Sequence, residues 1–500
     1  MRYGNTGGLE AQSESGGVRC MVGEDFQQVA QTWPEIISQY WVFVEGFRGN
    51  PKMGRGDARA YISALADIIA VQAGVKDVEG FRWALSEALR TARRGRLTEE
   101  TYERTLREWR SLDRGQLRFL VGTGTSGLEH LPPRRDTGLC VVSLFTGSYG
   151  LDLGFEYAGF QVVVAVDIDP ASEEILRANR PSIPFIREDI ARVPTKEILS
   201  EAGLGRGEVD VVTGGPPCQP FSTAGKRQGL RDPRSTPLKE FIRVVNEAQP
   251  RAFVMEEVTG LLNARLRHVP IRDRNRPLSQ EELPGSVWRV VLDELGKTGY
   301  RIAWGILNAA DFGVPQVRQR VFVIGLRRDL NLIPQLPHQT HSKPGTPTLF
   351  GGEPWKCLLD ALPSVSPGKY LEMPPKYRRY ISYVPPGGNW RQIPKDVVEE
   401  AMNGAFRAGG GRMGFYRRLT WFEPSPTLVT SPVMKGSMLV HPLEDRPLGI
   451  NEYKVIQGFP VDWRVPGPLA VQYRKVGEAV PPLLSYVVAS TLARALTGVG

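Results

Sequence analysis

The spacing of apolar and polar positions divides this 500-residue chain into distinct stretches. Between residues 26 and 120 apolar positions recur with a helical period. Phe26, Val29, Ala30 and Trp33 share one face, as do Tyr61, Leu65, Ile68 and Ile69. Thr98 followed by Glu99, Glu100 and Glu103 reads as a capped helix start with acids in its first turn. Residues 122–138 are rich in Gly, Thr, Ser and Pro and read as a linker. Residues 1–20 carry no periodicity, so Met21 is an alternative start to Met1. From residue 139 short β-branched runs alternate with helical patterns. Strands are predicted at 139–144, 162–166, 209–213, 252–255, 301–307 and 320–325, with a further short one before Glu188. Helices are predicted at 171–178, 238–246 and 287–295. This alternation predicts an α/β fold, a mostly parallel sheet wrapped on both faces, with ligands beyond the carboxyl ends of its strands. Residues 331–440 lose the alternation and are rich in Pro and Gly, which predicts an irregular or short-stranded domain. An apolar helix at 482–496 closes the chain.

Composition narrows the class. At 41% apolar residues the chain can bury sizeable cores, which excludes general disorder. No run of 18 apolar residues is present, so no membrane-spanning helix is expected, and the polar start shows no secretory signal. The four cysteines, Cys20, Cys140, Cys218 and Cys357, have no CxxC spacing. A disulfide scaffold or zinc ribbon is therefore excluded, no metal site is expected, and a reducing cytosol fits. The net charge is +9. Residues 1–136, 137–330 and 441–500 carry +1 each, whereas residues 331–440 carry +6. The excess is thus local, as expected of a surface that follows phosphates.

The candidate chemistry sits at strand ends. The first strand runs into Phe145-Thr-Gly-Ser-Tyr-Gly150, a glycine turn that opens a helix. The second ends at Asp167, where a carboxylate can accept from both hydroxyls of a ribose. Asp189 follows the third, where a carboxylate could meet an adenine amino group. This order points to an adenosine-containing cofactor without separating a dinucleotide from S-adenosylmethionine. The strand at 209–213 leads into Gly214-Gly-Pro-Pro-Cys218, which presents a thiol on a loop at the ligand-binding edge. Such a thiol is a candidate nucleophile rather than a packed core cysteine. Glu256 and Glu257 end one apolar strand, and Arg318 and Arg320 open another.

These blocks, in order along residues 139–490, resemble the DNA (cytosine-5)-methyltransferases of prokaryotic restriction–modification systems. The matches are SLFTGSYGLDLGF at 143–155, AVDID at 165–169, GGPPCQPFS at 214–222, EEV at 256–258 and GVPQVRQR at 313–320. INEYKVIQGFP at 450–460 and YRKVGEAVPP at 473–482 complete the series. The resemblance implies S-adenosylmethionine as cofactor, held by Phe145, Gly147, Gly150, Asp167, Ile168 and Asp189, with Pro217, Gly477 and Ala479 closing the pocket. It implies Cys218 as the nucleophile toward cytosine carbon 6, Glu256 as the acid at ring nitrogen 3, and Arg318 and Arg320 beside them. It implies duplex DNA as partner, contacted by Gln219, Ser222, Lys226, Arg227, Arg231, Arg417 and Arg418, with a flipped-out target base. It divides the chain into a helical N-terminal extension (1–136), a catalytic domain (137–330), a target-recognition domain (331–440) and a returning catalytic segment (441–500). A monomer in the prokaryotic cytoplasm, with a cognate restriction endonuclease as candidate partner, completes the expectation.

Three positions depart from the family pattern. Tyr149 replaces a glycine of the first turn, and either covers the cofactor or points away from it. Glu257 and Glu478 replace asparagines, and an ionised Glu only accepts hydrogen bonds. A transfer-RNA cytosine methyltransferase is the alternative within the family, but its Cys-Phe-Thr tripeptide is absent. A catalytically silent DNA-binding regulator is disfavoured by the intact nucleophile and acid.

Overall fold

A computed structural model describes Leu131 and residues 136–217, 236–270, 273–343, 352–362, 365–407, 414–421 and 423–498. The helices expected at 26–120 lie outside the described residues. From residue 139 the predicted alternation is present. β1 (Cys140–Leu144), α1 (Gly150–Tyr157), β2 (Gln161–Val166), α2 (Pro170–Asn179), β3 (Phe185–Ile186), α3 (Thr195–Glu201) and β4 (Val211–Gly214) come first. Next are α4 (Thr236–Ala248), β5 (Ala252–Val258), α5 (Ser286–Gly296), β6 (Tyr300–Asn308), β7 (Gln316–Val317) and β8 (Gln319–Arg327). The main sheet has the order β3-β2-β1-β4-β5-β8-β6. β1, β2, β3, β4 and β5 run parallel, and β8 is antiparallel to both β5 and β6.

The central strands are buried and read as apolar runs, as a parallel sheet covered on both faces requires. The chain moves outward from β1 through β2 to β3, then returns to place β4 on the other side of β1. This reversal opens a crevice at the carboxyl ends of β1 and β4, where such sheets bind ligands. Phe241, Phe253 and Tyr300 form an edge-to-face ladder beneath the β5 side, with ring centroids 6.1 and 5.2 Å apart.

Beyond β8 the elements are short: β9 (His341–Ser342), β10 (Glu353–Pro354), α6 (Leu358–Ala361), α7 (Pro375–Ile381), α8 (Val398–Met402), α9 (Gly404–Arg407) and β11 (Ser425–Pro426). Between residues 373 and 440 they build a separate small core around Tyr380, Ile381, Met402, Tyr416 and Met438. β11 is an exception within the stretch expected to be one domain. It pairs with β7 of the catalytic region, and Thr427 donates to the Val317 carbonyl at 2.8 Å.

α10 (Ile450–Gln457), α11 (Leu469–Glu478) and α12 (Pro482–Thr497) return to the main sheet. α12 packs on α1, and the Ser485 hydroxyl donates to the Leu151 carbonyl. Leu469–Thr497 has the length and apolarity of a membrane span. It is two helices broken at Ala479–Pro481, and the buried face of α12 belongs to this core.

One core group opposes folding. Asp152 on α1 is fully buried, and no full-strength hydrogen bond to either carboxylate oxygen is present among the described residues. Burial pushes its carboxyl up to about 7; the Ser143 hydroxyl pulls the other way, and Glu156 and Asp167 add repulsion. The unfolded chain releases this proton near pH 4, whereas the folded chain keeps it until about pH 7. Stability is therefore highest below the unfolded value and falls as pH rises through this window. The loss by pH 8 is of order 2–4 kcal/mol. Asp152→Asn is expected to raise the melting temperature at pH 8 and to give little change at pH 4.5. Thermal unfolding of both proteins at the two pH values checks this; equal melting temperatures at pH 8 would show the ionised carboxylate to be well compensated.

Candidate active site

The turn after β1 alternates left-handed residues, with φ of 55° at Phe145, 60° at Gly147 and 68° at Tyr149. This tight path aims the Gly147 N–H at Asp167, whose Oδ2 accepts it at 2.8 Å. Asp167 Oδ1 accepts from the Asp169 N–H at 2.8 Å, which fixes the end of β2. Between these two aspartates Ile168 is 65% exposed, an apolar side chain held out at the sheet edge. Asp189, after β3, caps the short turn Ile190–Arg192 by accepting from the Ala191 N–H at 3.0 Å. Phe145, Gly147, Asp167, Ile168 and Asp189 are thus gathered at the carboxyl edge of β1, β2 and β3. Two carboxylates flanking an exposed apolar side chain suit a ligand with donor hydroxyls, an exocyclic amino group and a flat apolar face, as adenosine has.

Tyr149 points away from this edge. It is fully buried, its hydroxyl donates to Glu156 Oε1 at 2.8 Å, and its ring stacks on Trp463 at 5.9 Å. Arg180 lies over the same Trp463 ring and pairs with Glu156 at 2.9 Å, so the core gains a bracing cluster where the family carries glycine. Gly150 serves close packing: an added Cβ would lie 2.3 Å from the Val480 carbonyl oxygen. A Cβ at Gly477 would lie 2.2 Å from the Val429 carbonyl oxygen. The Ala479 carbonyl accepts from Gln457, and the Ser148 hydroxyl donates to the Lys475 carbonyl. Residues 475–480 therefore lie against the glycine turn after β1 by main-chain contact.

The second half of the crevice lies beyond β4 and β5. β4 ends at Gly214, and Pro217 is the last described residue before the gap. Cys218, Gln219, Ser222, Lys226, Arg227 and Arg231 lie outside the described residues. Glu256 lies beside this exit: a Cβ on Gly215 would stand 2.9 Å from its Oε2. Arg320 sits opposite Val258 in the antiparallel register, diagonal to Glu256 on the same face, and its Nε meets Glu256 Oε1 at 2.7 Å. Burial pushes the Glu256 carboxyl up, while Arg320 and then Arg318 hold it back. Burial is the larger effect, so the carboxyl stays above its ordinary value.

Arg318 plays a different part from its neighbour. It is 1% exposed and donates to the Leu428, Gly477 and Glu478 carbonyls at 3.2, 2.9 and 3.2 Å. Its guanidinium joins β11's return and the C-terminal segment to the mouth of β8. It acts on Glu256 through its charge, without a hydrogen bond to it among the described residues. Gln316 does similar work, bonding Gln457 at 2.6 Å and the Leu428 N–H at 2.9 Å.

The C-5 cytosine-specific DNA methylase family matches residues 139–494. The chain belongs to that family. Among its relatives, the Type II methyltransferase M.Sau96I of Staphylococcus aureus is 35% identical over 362 residues, covering 72% of this chain and 76% of that protein. M.PspPI of Psychrobacter sp. is 36% identical, covering 76% of this chain and 84% of its own. M.Eco47II of Escherichia coli is also 36% identical, covering 71% and 79%. All three are named Type II methyltransferases.

In this DNA methylase the small core between residues 373 and 440 sorts its arginines by burial. Arg418, expected to contact DNA, is 3% exposed. Its guanidinium donates to the Val384, Ile381, His441 and Glu444 carbonyls and pairs with Asp445. These bonds turn the fork inward, so its guanidinium braces the small core. Arg417 is half-buried, and burial lowers its pKa. Exposed cations among the described residues include Lys376, Arg378 and Arg379 on α7, Arg391 and Lys395. Arg379 is paired with Glu400 at 3.2 Å, and Arg391 lies over the Trp390 ring. Sequence reasoning passed over these residues. The available signal was the alternation in Lys376-Tyr-Arg-Arg-Tyr-Ile381, whose Tyr380 and Ile381 are buried while the basic positions stay exposed.

Proposed function

We propose that this methylase transfers a methyl group to carbon 5 of a flipped-out cytosine in a specific duplex DNA sequence. In this reading it is the modification half of a Type II restriction–modification system, as its relatives' names support. The carrying observation is the Glu256–Arg320 pair packed against Gly215, three residues before Cys218. Three residues span at most about 11 Å of chain, which supports Cys218 as the thiol that serves the Glu256–Arg320 pair. The Cys218 thiolate adds to cytosine carbon 6. Glu256 meets ring nitrogen 3 and the amino group, and its shared proton offsets the charge arriving with the thiolate. Arg320 holds that carboxyl in place. S-adenosylmethionine supplies the electrophilic methyl, with Asp167 at the ribose, Ile168 and Asp189 at the adenine, and Phe145, Gly147 and Pro217 along the rest of the cleft. Loss of the carbon 5 proton and elimination of Cys218 restore the aromatic ring. A monomer in the prokaryotic cytoplasm, with a cognate endonuclease cutting the same site, belongs to this proposal.

The test is transfer of labelled methyl groups to mixed-sequence duplex DNA and to transfer RNA, followed by bisulfite sequencing of the product. Label in duplex DNA at one recurring site is expected. No label in DNA, or label in transfer RNA alone, overturns the reading.

The outward cations carry a separate expectation. Lys376 and Arg378 serve as phosphate contacts in the recognition domain. Lys376→Ala and Arg378→Ala are each expected to reduce the slope of log affinity against log salt by about 1. Neutralising two arginines within residues 1–136 should flatten it less. Binding titrations at several salt concentrations check this; equal flattening from the two segments would remove the local-surface reading.

A further inference from the structure

Glu478 introduces a carboxylate where the family's Gly-Asn-Ala-Val block carries a neutral side chain. Its backbone is fixed: the Glu478 carbonyl accepts from Arg318, and the neighbouring Val480 carbonyl lies against Gly150 of the cofactor turn. Its side chain is 51% exposed and stands on the Asp169 side of the crevice. One nitrogen, Arg474 Nη1, lies 2.9 Å from Asp169 Oδ2 and 3.7 Å from Glu478 Oε2. Lys475 is also committed to Asp169, with Nζ 2.9 Å from the same oxygen and 2.7 Å from the Ser172 hydroxyl. Arg474 and Lys475 are therefore spent chiefly on Asp169, and Arg474 gives Glu478 only the longer contact. Burial pushes the Glu478 carboxyl up, Arg474 and Lys475 pull it down, and Asp169 and Asp167 add repulsion. Glu478 thus adds a carboxylate, held by one 3.7 Å contact, near Asp167 and Asp169.

We infer that Glu478 gives the cofactor crevice a negative field that favours the cationic methyl donor over its neutral, demethylated product. The inference rests on the proposed use of S-adenosylmethionine. That donor and S-adenosylhomocysteine share the adenosine and the amino-acid group. They differ by one methyl and one positive charge at sulfur. A contact to the shared parts shifts both affinities together, whereas a carboxylate acting at a distance shifts only the charged ligand. The consequence for turnover is easier release of the spent product.

The experiment is isothermal titration of S-adenosylmethionine and S-adenosylhomocysteine into the full-length protein, its Glu478→Gln variant and its Glu478→Asn variant. A partly solvated unit charge at this range is worth about a three- to tenfold change in affinity. Both variants should bind the donor more weakly by that factor and the product within about twofold of the parent. In the unmodified protein, raising salt from 0.05 to about 0.5 M should narrow the ratio of the two affinities, because screening removes the same term. This second measurement needs no variant to fold. Equal weakening of both ligands, or an unchanged ratio in the variants and in salt, overturns the inference while leaving the methyltransferase reading intact. Failure of the unmodified protein to bind either ligand overturns both.

Discussion

A Cys218→Ala protein is expected to transfer no methyl group above background while still binding duplex DNA. Carbon 5 of cytosine is a poor nucleophile, and it needs the thiolate's addition at carbon 6 to become one. Glu256 and Arg320 polarise the ring but cannot supply the electron pair that converts it to an enamine. The remaining contacts bind and orient, and removing the nucleophile of such a set leaves little of the rate. Cys218→Ser should behave similarly, because a hydroxyl is far less ionised than a thiol at neutral pH. Duplex DNA carrying 5-fluorocytosine provides the positive counterpart. The thiolate adds to carbon 6 and the methyl arrives at carbon 5, but fluorine occupies the place of the proton that must leave. Elimination then stalls with a carbon–sulfur bond joining protein to DNA. The unmodified protein should give this linkage as a band that survives denaturing electrophoresis, and Cys218→Ala should not. Sustained methyl transfer by Cys218→Ala would remove this cysteine from the reaction.

The parts of the fold that were legible in sequence are those where one strand or helix suffices to reveal itself. β1, β2, β4 and β5 are buried apolar runs, so each announces a central strand without reference to its neighbours. α3, with seven residues, is too short to show a period, and β3, with two, is marked mainly by the acid that follows it. The crevice's candidate residues could be read in sequence because they sit at fixed offsets after strands. Arg418 and Arg378 show what could not be. Both are arginines in a basic, irregular stretch, and nothing local distinguishes them. Arg418 is buried because carbonyls from residues 381, 384, 441 and 444 converge on it, a cage that only the folded domain assembles. Tyr149 is similar. Its left-handed backbone looks unfavourable in isolation, and its acceptance depends on Trp463 and Glu156 receiving the ring and the hydroxyl. β11 pairs with β7 through two residues only, which leaves no periodic trace of its return to the catalytic region.

Glu256→Gln should lower kcat by about 10³-fold while changing DNA affinity by no more than about threefold. Gln is nearly isosteric, so the β5 packing and the approach to Gly215 survive. It can still offer an amide hydrogen to ring nitrogen 3, but it cannot share or transfer a proton as charge arrives from the thiolate. The loss therefore falls on the transition state rather than on binding. The effect should depend on pH in a definite direction. Burial raises the Glu256 pKa against the pull of Arg320 and Arg318, so the protonated acid persists above the ordinary carboxylate range. If that form acts, kcat of the unmodified enzyme falls as pH rises through the Glu256 value, and Glu256→Gln loses this limb of the profile. Removing the carboxylate also leaves Arg320 without its 2.7 Å partner, a cost to stability that must be separated from chemistry. The double variant Glu256→Gln/Arg320→Gln does so: it relieves the unpaired cation and should recover melting temperature without recovering kcat. A Glu256→Gln enzyme within tenfold of the parent, with its pH limb intact, would place the acid outside the reaction.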